Sequence, residues 1–128
     1  QGDPQKYPVR TRKLKRSAQS LWLLQARAAD GSVWLERRPA TGIWAGLYCL
    51  PVFESRDALS DAVPKPARPR LRDKAPFMHV LTHKDLYLHP VAAQVDRRAM
   101  KHAQGGWFRI GDLSRLGLPA PVRRLLEP

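Results

Sequence analysis

Arg37-Arg38-Pro39-Ala40-Thr41-Gly42-Ile43-Trp44-Ala45-Gly46-Leu47-Tyr48-Cys49-Leu50-Pro51 is the stretch on which the fold turns. A strand running into Arg38 must end here, because Pro39 has no backbone N–H and a fixed φ, and Gly42 frees the chain to change direction. Tyr48 to Phe53 reads as the next strand. Ser55 to Ala62 reads as a short helix started by a serine cap, whose hydroxyl can accept from a free backbone N–H of the first turn. The acidic residues that follow Pro51 are Glu54, Asp57 and Asp61, at a spacing that could share one helix face.

Working upstream, Ala18 to Ala26 is a mostly apolar run, too short for a convincing helix and rich enough to be a buried central strand. Ala29-Asp30-Gly31-Ser32 then offers an Asp-Gly pair, which tolerates the positive φ of a tight hairpin turn. The return strand is Val33 to Arg38, with Val33 and Leu35 on one face and Trp34 and Glu36 on the other. Before Ser17, residues 1–16 carry Lys6, Arg10, Arg12, Lys13, Lys15 and Arg16 with Pro4 and Pro8. That segment reads as a basic linker, a phosphate-contacting arm, or simply a solvated tail. An opening without methionine on a loose polar stretch is what a domain cut from a longer polypeptide would show.

Working downstream, Pro64 to Arg70 cannot continue any helix and reads as an exposed basic loop. Phe77 to Thr82 and Leu86 to Val95 read as strands joined around His83-Lys84-Asp85, with Pro90 bending or interrupting the second. In that second strand Leu86 and Leu88 oppose Tyr87 and His89. Gly106 to Ile110 is a last short strand, and Ala120 to Glu127 is a helix that accepts Pro121 in its first turn. There is no internal repeat. The fold class is α/β, a mixed sheet flanked by short helices.

A length of 128 residues suits one domain with a sizeable core. Cys49 is the single cysteine, which excludes an internal disulfide and favours a reducing compartment, with core filling as its role. No apolar run approaches the roughly 20 residues that span a bilayer, and no signal peptide is legible, so a soluble protein is expected. The formal charge of +12 favours a polyanionic partner, nucleic acid first. The plainer reading is that excess arginine only solubilises the surface. A membrane surface is disfavoured, since no basic amphipathic helix stands out.

Four pieces in order carry a resemblance: Glu36-Arg37-Arg38-Pro39-x-x-Gly42-x-Trp44-x-Gly46-Leu47-Tyr48-x-x-Pro51, then His79-Val80-Leu81-Thr82-His83, then Trp107, then Gly117-Leu118-Pro119-Ala120-Pro121-Val122. Over roughly residues 17 to 127 the chain resembles the C-terminal domain of the MutY family of A/G-specific adenine DNA glycosylases. The resemblance implies a Nudix-like fold, similar to the enzyme MutT, over 17–128, with residues 1–16 as the arm or linker. In a working Nudix hydrolase a Leu-Pro like Leu50-Pro51 leads into Gly-Gly and a helix of pattern Arg-Glu-x-x-Glu-Glu, whose carboxylates hold divalent cations. Val52 to Val63 has no such pair. The resemblance implies that the chain recognises 8-oxoguanine mispaired with adenine in double-stranded DNA, and the missing pair that it is non-catalytic and metal-free by itself.

The resemblance also implies that adenine excision and a four-cysteine iron-sulfur cluster belong to an upstream catalytic domain of the same polypeptide, in a bacterial cytoplasm at the nucleoid. One cysteine cannot hold that cluster, so no cofactor is expected in this chain. The family's Phe-Ser-His lesion loop falls on Leu81, Thr82 and His83, with two of the three changed. Threonine keeps a hydroxyl that can donate and accept, and so could answer the N7–H and O8 of the oxidised base. Leu81 offers an apolar wedge or a core contact, and His83 a donor to phosphate or base. Arg37, Arg38, Arg68, Arg70 and Lys84 are candidate DNA-backbone contacts. Trp44 and Tyr48 are candidate pocket residues, with packing as their plainer role. His79, His89 and His102 have no zinc-site spacing. Two other classes stay open: a Nudix-type nucleotide pyrophosphohydrolase, and a non-specific basic nucleic-acid-binding domain.

Overall fold

The apolar run of the sequence becomes the spine of the sheet. In the computed structural model, which describes residues 16–127, β1 (Ser17–Arg27) occupies the centre. The proposed arm over residues 1–15 lies outside the described residues. Asp30 and Gly31 form the expected turn: Gly31 takes φ +86°, Ser32 N–H is accepted by the Asp30 carboxylate at 2.9 Å, and the chain returns as β2 (Val33–Arg37).

Beyond β2 come β3 (Tyr48–Cys49), β4 (Val52–Phe53) and helix α1 (Arg56–Asp61). The single strand expected over Tyr48 to Phe53 is thus two short ones. The chain crosses between neighbours at Leu50-Pro51: β3 pairs with β2, and β4 pairs with β1. Pro51 has no N–H for a continuous ladder, while its carbonyl accepts from Leu24 at 3.0 Å. The Ser55 hydroxyl caps α1 by accepting from Ala58 N–H at 3.0 Å, as its position foretells.

Lys65–Arg70 is a 3-10 helix rather than the open loop expected, since prolines at its start and at Pro69 suit short i to i+3 turns better than a longer α-helix. Then follow β5 (Arg72–Asp73), β6 (Phe77–Val80) and β7 (Lys84–Gln94). β7 runs parallel to β1 through eleven paired positions, from Ser17↔Lys84 to Arg27↔Gln94, and antiparallel to β5 and β6 on its other side. The sheet is therefore mixed, with eight strands among the described residues.

Pro90 neither bends nor interrupts β7. Its carbonyl accepts from Lys74 N–H at 2.9 Å on the β5 side. A strand residue's N–H and C=O point to the same side, so the missing donor faces the β5 side and the ladder to β1 is left whole. β8 (Gly105–Phe108) pairs with β2, Ile110–Arg115 forms a 3-10 turn where the last strand was expected to extend, and α2 (Ala120–Leu126) closes the described chain.

Alternation along the strands builds a core on each face. Leu21, Leu23, Val33, Leu35, Leu86 and Leu88 pack on one side under the C-terminal segment, with Leu113, Leu118 and Val122. Leu24, Ala26, Trp34, Val91 and Ala93 pack on the other, with Leu59 and Val63 from the α1 region. Leu23 and Leu24 are both fully buried, one into each core, which explains why the central strand reads as a continuous apolar run.

Candidate nucleic-acid interface

β6 and β7 form an antiparallel hairpin, with Phe77↔Leu88, Met78↔Tyr87, His79↔Leu86 and Val80↔Asp85 in register. Its tip is Leu81-Thr82-His83, closed by Leu81 N–H donating to the Lys84 carbonyl at 2.8 Å. The three residues expected to act together are thus gathered at one turn, but they do not point alike. Leu81 is half-buried and packs against the first core. Thr82 and His83 are exposed. The outer face of the hairpin carries exposed Met78, Val80 and Tyr87.

Underneath the turn lies a contact the sequence did not announce. Arg16 donates from Nη1 to the Thr82 carbonyl at 2.7 Å and from Nη2 to the carbonyls of Lys84, at 3.0 Å, and Leu81. Its Nε donates to Asp85 Oδ1 at 3.0 Å. Ser17 N–H and hydroxyl both approach the remaining carbonyl, that of His83, at 3.4 Å. Arg16, the last residue of the expected arm, is therefore anchored to the hairpin.

The loop from Arg38 to Leu47 reaches the same hairpin from β2. It is closed by Arg38 N–H to the Leu47 carbonyl at 2.7 Å and Gly46 N–H to the Pro39 carbonyl at 2.9 Å. Gly42 and Gly46 take positive φ, and so does Trp44, at 55°, a left-handed conformation that costs a side-chain-bearing residue about 1 kcal/mol or more. Its ring lies 6.4 Å from that of His79 on β6, so the strained residue braces the hairpin. Tyr48 packs edge-on against Phe108 at 5.2 Å and belongs to the core wall. A cavity of about 540 Å³ opens nearby, lined by Glu36, Arg37, Arg38, Leu50, Pro51 and His102 among others, and neither Trp44 nor Tyr48 is among its lining residues.

The candidate phosphate contacts fall into two places. Lys84 starts β7 at the hairpin turn, with Nζ donating to Gln19 Oε1 at 3.0 Å. Arg37 and Arg38 donate from Nε to the carbonyls of Gly46 and Ile43, both at 3.3 Å, and so tie down the Trp44 loop with part of their fork. Arg68 and Arg70 lie at the far end of the sheet: the 3-10 helix leads into β5, whose Arg72 pairs with Ala92. At roughly 3.3 Å per residue, Ala92 is on the order of 26 Å along β7 from Lys84. Arg68 commits Nε to the Val63 carbonyl at 2.9 Å and Nη2 to the Asp61 carbonyl at 3.2 Å, holding the end of α1. Arg70 is exposed and its side chain makes no hydrogen bond among the described residues.

Cys49 is buried, and burial pushes its thiol up to about 12, so it is an inert core residue at neutral pH. Among the described residues no helix is long and apolar enough to cross a membrane.

The NUDIX domain family matches residues 15–128, and the chain belongs to that family. It is 24% identical over 98 residues to an adenine DNA glycosylase of Buchnera aphidicola subsp. Baizongia pistaciae, a match that spans 73% of this chain and 28% of that protein. The C-terminal domain of mouse MUTYH, solved in complex with human PCNA, superposes with a TM-score of 0.63 at 13% identity over 83% of each chain. A MutT protein from Methanosarcina mazei Go1 superposes with a TM-score of 0.65 at 17% identity, over 87% of this chain and 91% of that one. The chain is thus a NUDIX-type domain similar to the C-terminal domain of MutY-type glycosylases, and the expected MutT-like fold is present. Divalent metal is the usual helper of NUDIX hydrolases, but Glu54, Asp57 and Asp61 are exposed at and just before α1. Among the described residues no three His, Cys, Asp or Glu side chains gather closely enough to hold a metal ion, so the residues present do not fit such a centre.

Proposed function

We propose that this chain reads 8-oxoguanine mispaired with adenine in duplex DNA and performs no hydrolysis itself, as one domain of an adenine DNA glycosylase whose excising site and iron-sulfur cluster reside in another part of a longer polypeptide. The observation that carries the reading is the β6–β7 turn, which presents the exposed Thr82 and His83 from a backbone pinned on its inner side. A rigid turn suits discrimination between bases that differ in one donor and one acceptor, because the hydroxyl need not be ordered at the moment of binding. Thr82 answers N7–H or O8 of the lesion, His83 and Lys84 meet the neighbouring backbone, and the free N–H groups of Arg37 and Arg38 add phosphate contacts from the adjoining loop. Arg68 and Arg70, at the other end of β7, are left out of this patch.

The similarity to an adenine DNA glycosylase and to the MUTYH domain supports the repair setting. The lack of a metal-holding cluster among the described residues weighs against the pyrophosphohydrolase alternative. The charge of +12 by itself would favour a general nucleic-acid binder, and fluorescence anisotropy separates the two. Duplexes that differ only in 8-oxoguanine:adenine versus guanine:adenine are titrated at several salt concentrations. The reader binds the lesion duplex more tightly by a factor that persists as salt rises. Equal affinities with a shared steep salt slope would leave only a non-specific binder.

A further inference from the structure

We infer that Arg16 is the positioning residue of the recognition turn, its guanidinium filling a ring of inward-facing carbonyls so that Thr82 and His83 face outward. This rests on reading the turn as the lesion contact. Four consecutive carbonyls, those of Leu81, Thr82, His83 and Lys84, are all turned toward the start of β1. Gathered alone, four such dipoles would repel one another and the turn would relax. A guanidinium is suited to the position because its donors form a planar fork, and here one nitrogen serves the Thr82 carbonyl while another serves those of Leu81 and Lys84. The Ser17 N–H and hydroxyl take the fourth carbonyl.

Asp85 fixes the fork. Its Oδ1 sits 3.0 Å from Nε and 2.9 Å from Nη2, and its side chain is 25% exposed. The pair follows from register: Asp85 is the second residue of β7, level with Ala18 of β1, so the carboxylate lies beside the residue that enters that strand. Arg16, though exposed, is therefore paired with a carboxylate of its own chain. In contrast to Arg70, it contributes little as a phosphate contact, and its loss should not resemble the loss of one.

Backbone amide exchange and duplex affinity are measured for Arg16→Gln, Arg16→Lys, Arg16→Ala, Asp85→Asn and the parent chain. In Arg16→Gln, the Leu81 amide, which closes the turn, exchanges about tenfold faster or more while Leu23 in the central strand keeps its protection. The preference for 8-oxoguanine:adenine falls toward one, and guanine:adenine affinity and salt slope stay as in the parent. Asp85→Asn shows a weaker form of the same pattern. Arg16→Lys does not restore it, because an ammonium lacks the fork, and guanidinium ion added to Arg16→Ala at millimolar concentration returns part of the Leu81 protection.

Unchanged Leu81 exchange in Arg16→Gln overturns the inference whatever the DNA result. A uniform loss on both duplexes, with the salt slope smaller by about 1, makes Arg16 a phosphate contact and also overturns it. If the parent chain shows no lesion preference but the exchange effect is present, the lesion role of the turn fails while the hold of Arg16 on it stands.

Discussion

At Thr82 the proposed chemistry reduces to one hydroxyl. It can accept from N7–H or donate to O8, whereas guanine offers an N7 acceptor and a C8–H at the same place. Thr82→Ala is expected to cost about 1–2 kcal/mol of binding to the lesion duplex and nearly nothing for guanine:adenine, so that anisotropy shows the preference collapsing by roughly an order of magnitude. Undiminished preference would remove Thr82 from the site. Arg68 is different. Charge alone made it a phosphate candidate, but its guanidinium holds the Val63 and Asp61 carbonyls. Arg68→Ala should lower unfolding stability by about 1 kcal/mol in urea titration and leave duplex affinity close to that of the parent. The sequence could place Leu81, Thr82 and His83 at one hairpin by their resemblance to a motif. It could not place Arg16 beneath them, because 66 positions separate Arg16 from Thr82 and no local pattern records such a contact.

At the scale of elements, the legible parts are those governed by neighbouring residues. The apolar run of β1, the Asp30-Gly31 turn, the Ser55 cap and the outward Tyr87 between Leu86 and Leu88 follow from spacing and local hydrogen bonding. The misread parts depend on what lies across the sheet. Pro90 is tolerated because its missing donor faces the β5 side and leaves the ladder to β1 whole, and Tyr48 to Phe53 splits only because two different strands wait to receive its halves. β8 holds a further contact of this kind. A Cβ built on Gly105 would lie 2.4 Å from Trp34 Cζ2, inside any tolerable contact. Trp34 is buried in the second core, and its indole N–H is tied to Glu36 Oε2 at 2.8 Å, so it has little freedom to move aside. Gly105→Ala is expected to destabilise the fold by about 1–3 kcal/mol, measured as a lower urea midpoint at unchanged slope. An unchanged midpoint would mean that the indole swings clear.

Over the whole molecule, charge sets two behaviours. The positive excess makes every duplex affinity fall with salt, so the lesion preference must be judged as a ratio at matched ionic strength. The hydrogen bond from Arg56 holds the Asp73 carboxyl below the ordinary carboxylate range, and hydrogen bonds from Ser32, backbone first, do the same for Asp30. A depressed folded value favours the native state at neutral pH, and that contribution is lost as pH falls through the folded value, below about 4. Asp73→Asn should therefore lower stability slightly at pH 7 and change little in acid, where the contribution is already lost, so that the acid limb of a stability profile flattens; an unaltered limb would place the acid sensitivity elsewhere.

The central claim is that the turn reads a lesion, and titration of the isotope-labelled chain by NMR tests it most directly, because residue-resolved shifts register weak binding. Duplexes identical except for 8-oxoguanine:adenine against guanine:adenine are compared at the same salt. Shifts at Thr82 and His83 that arise only with the lesion duplex are the predicted result; equal shifts with both duplexes, scattered over basic residues and sparing the turn, would contradict it.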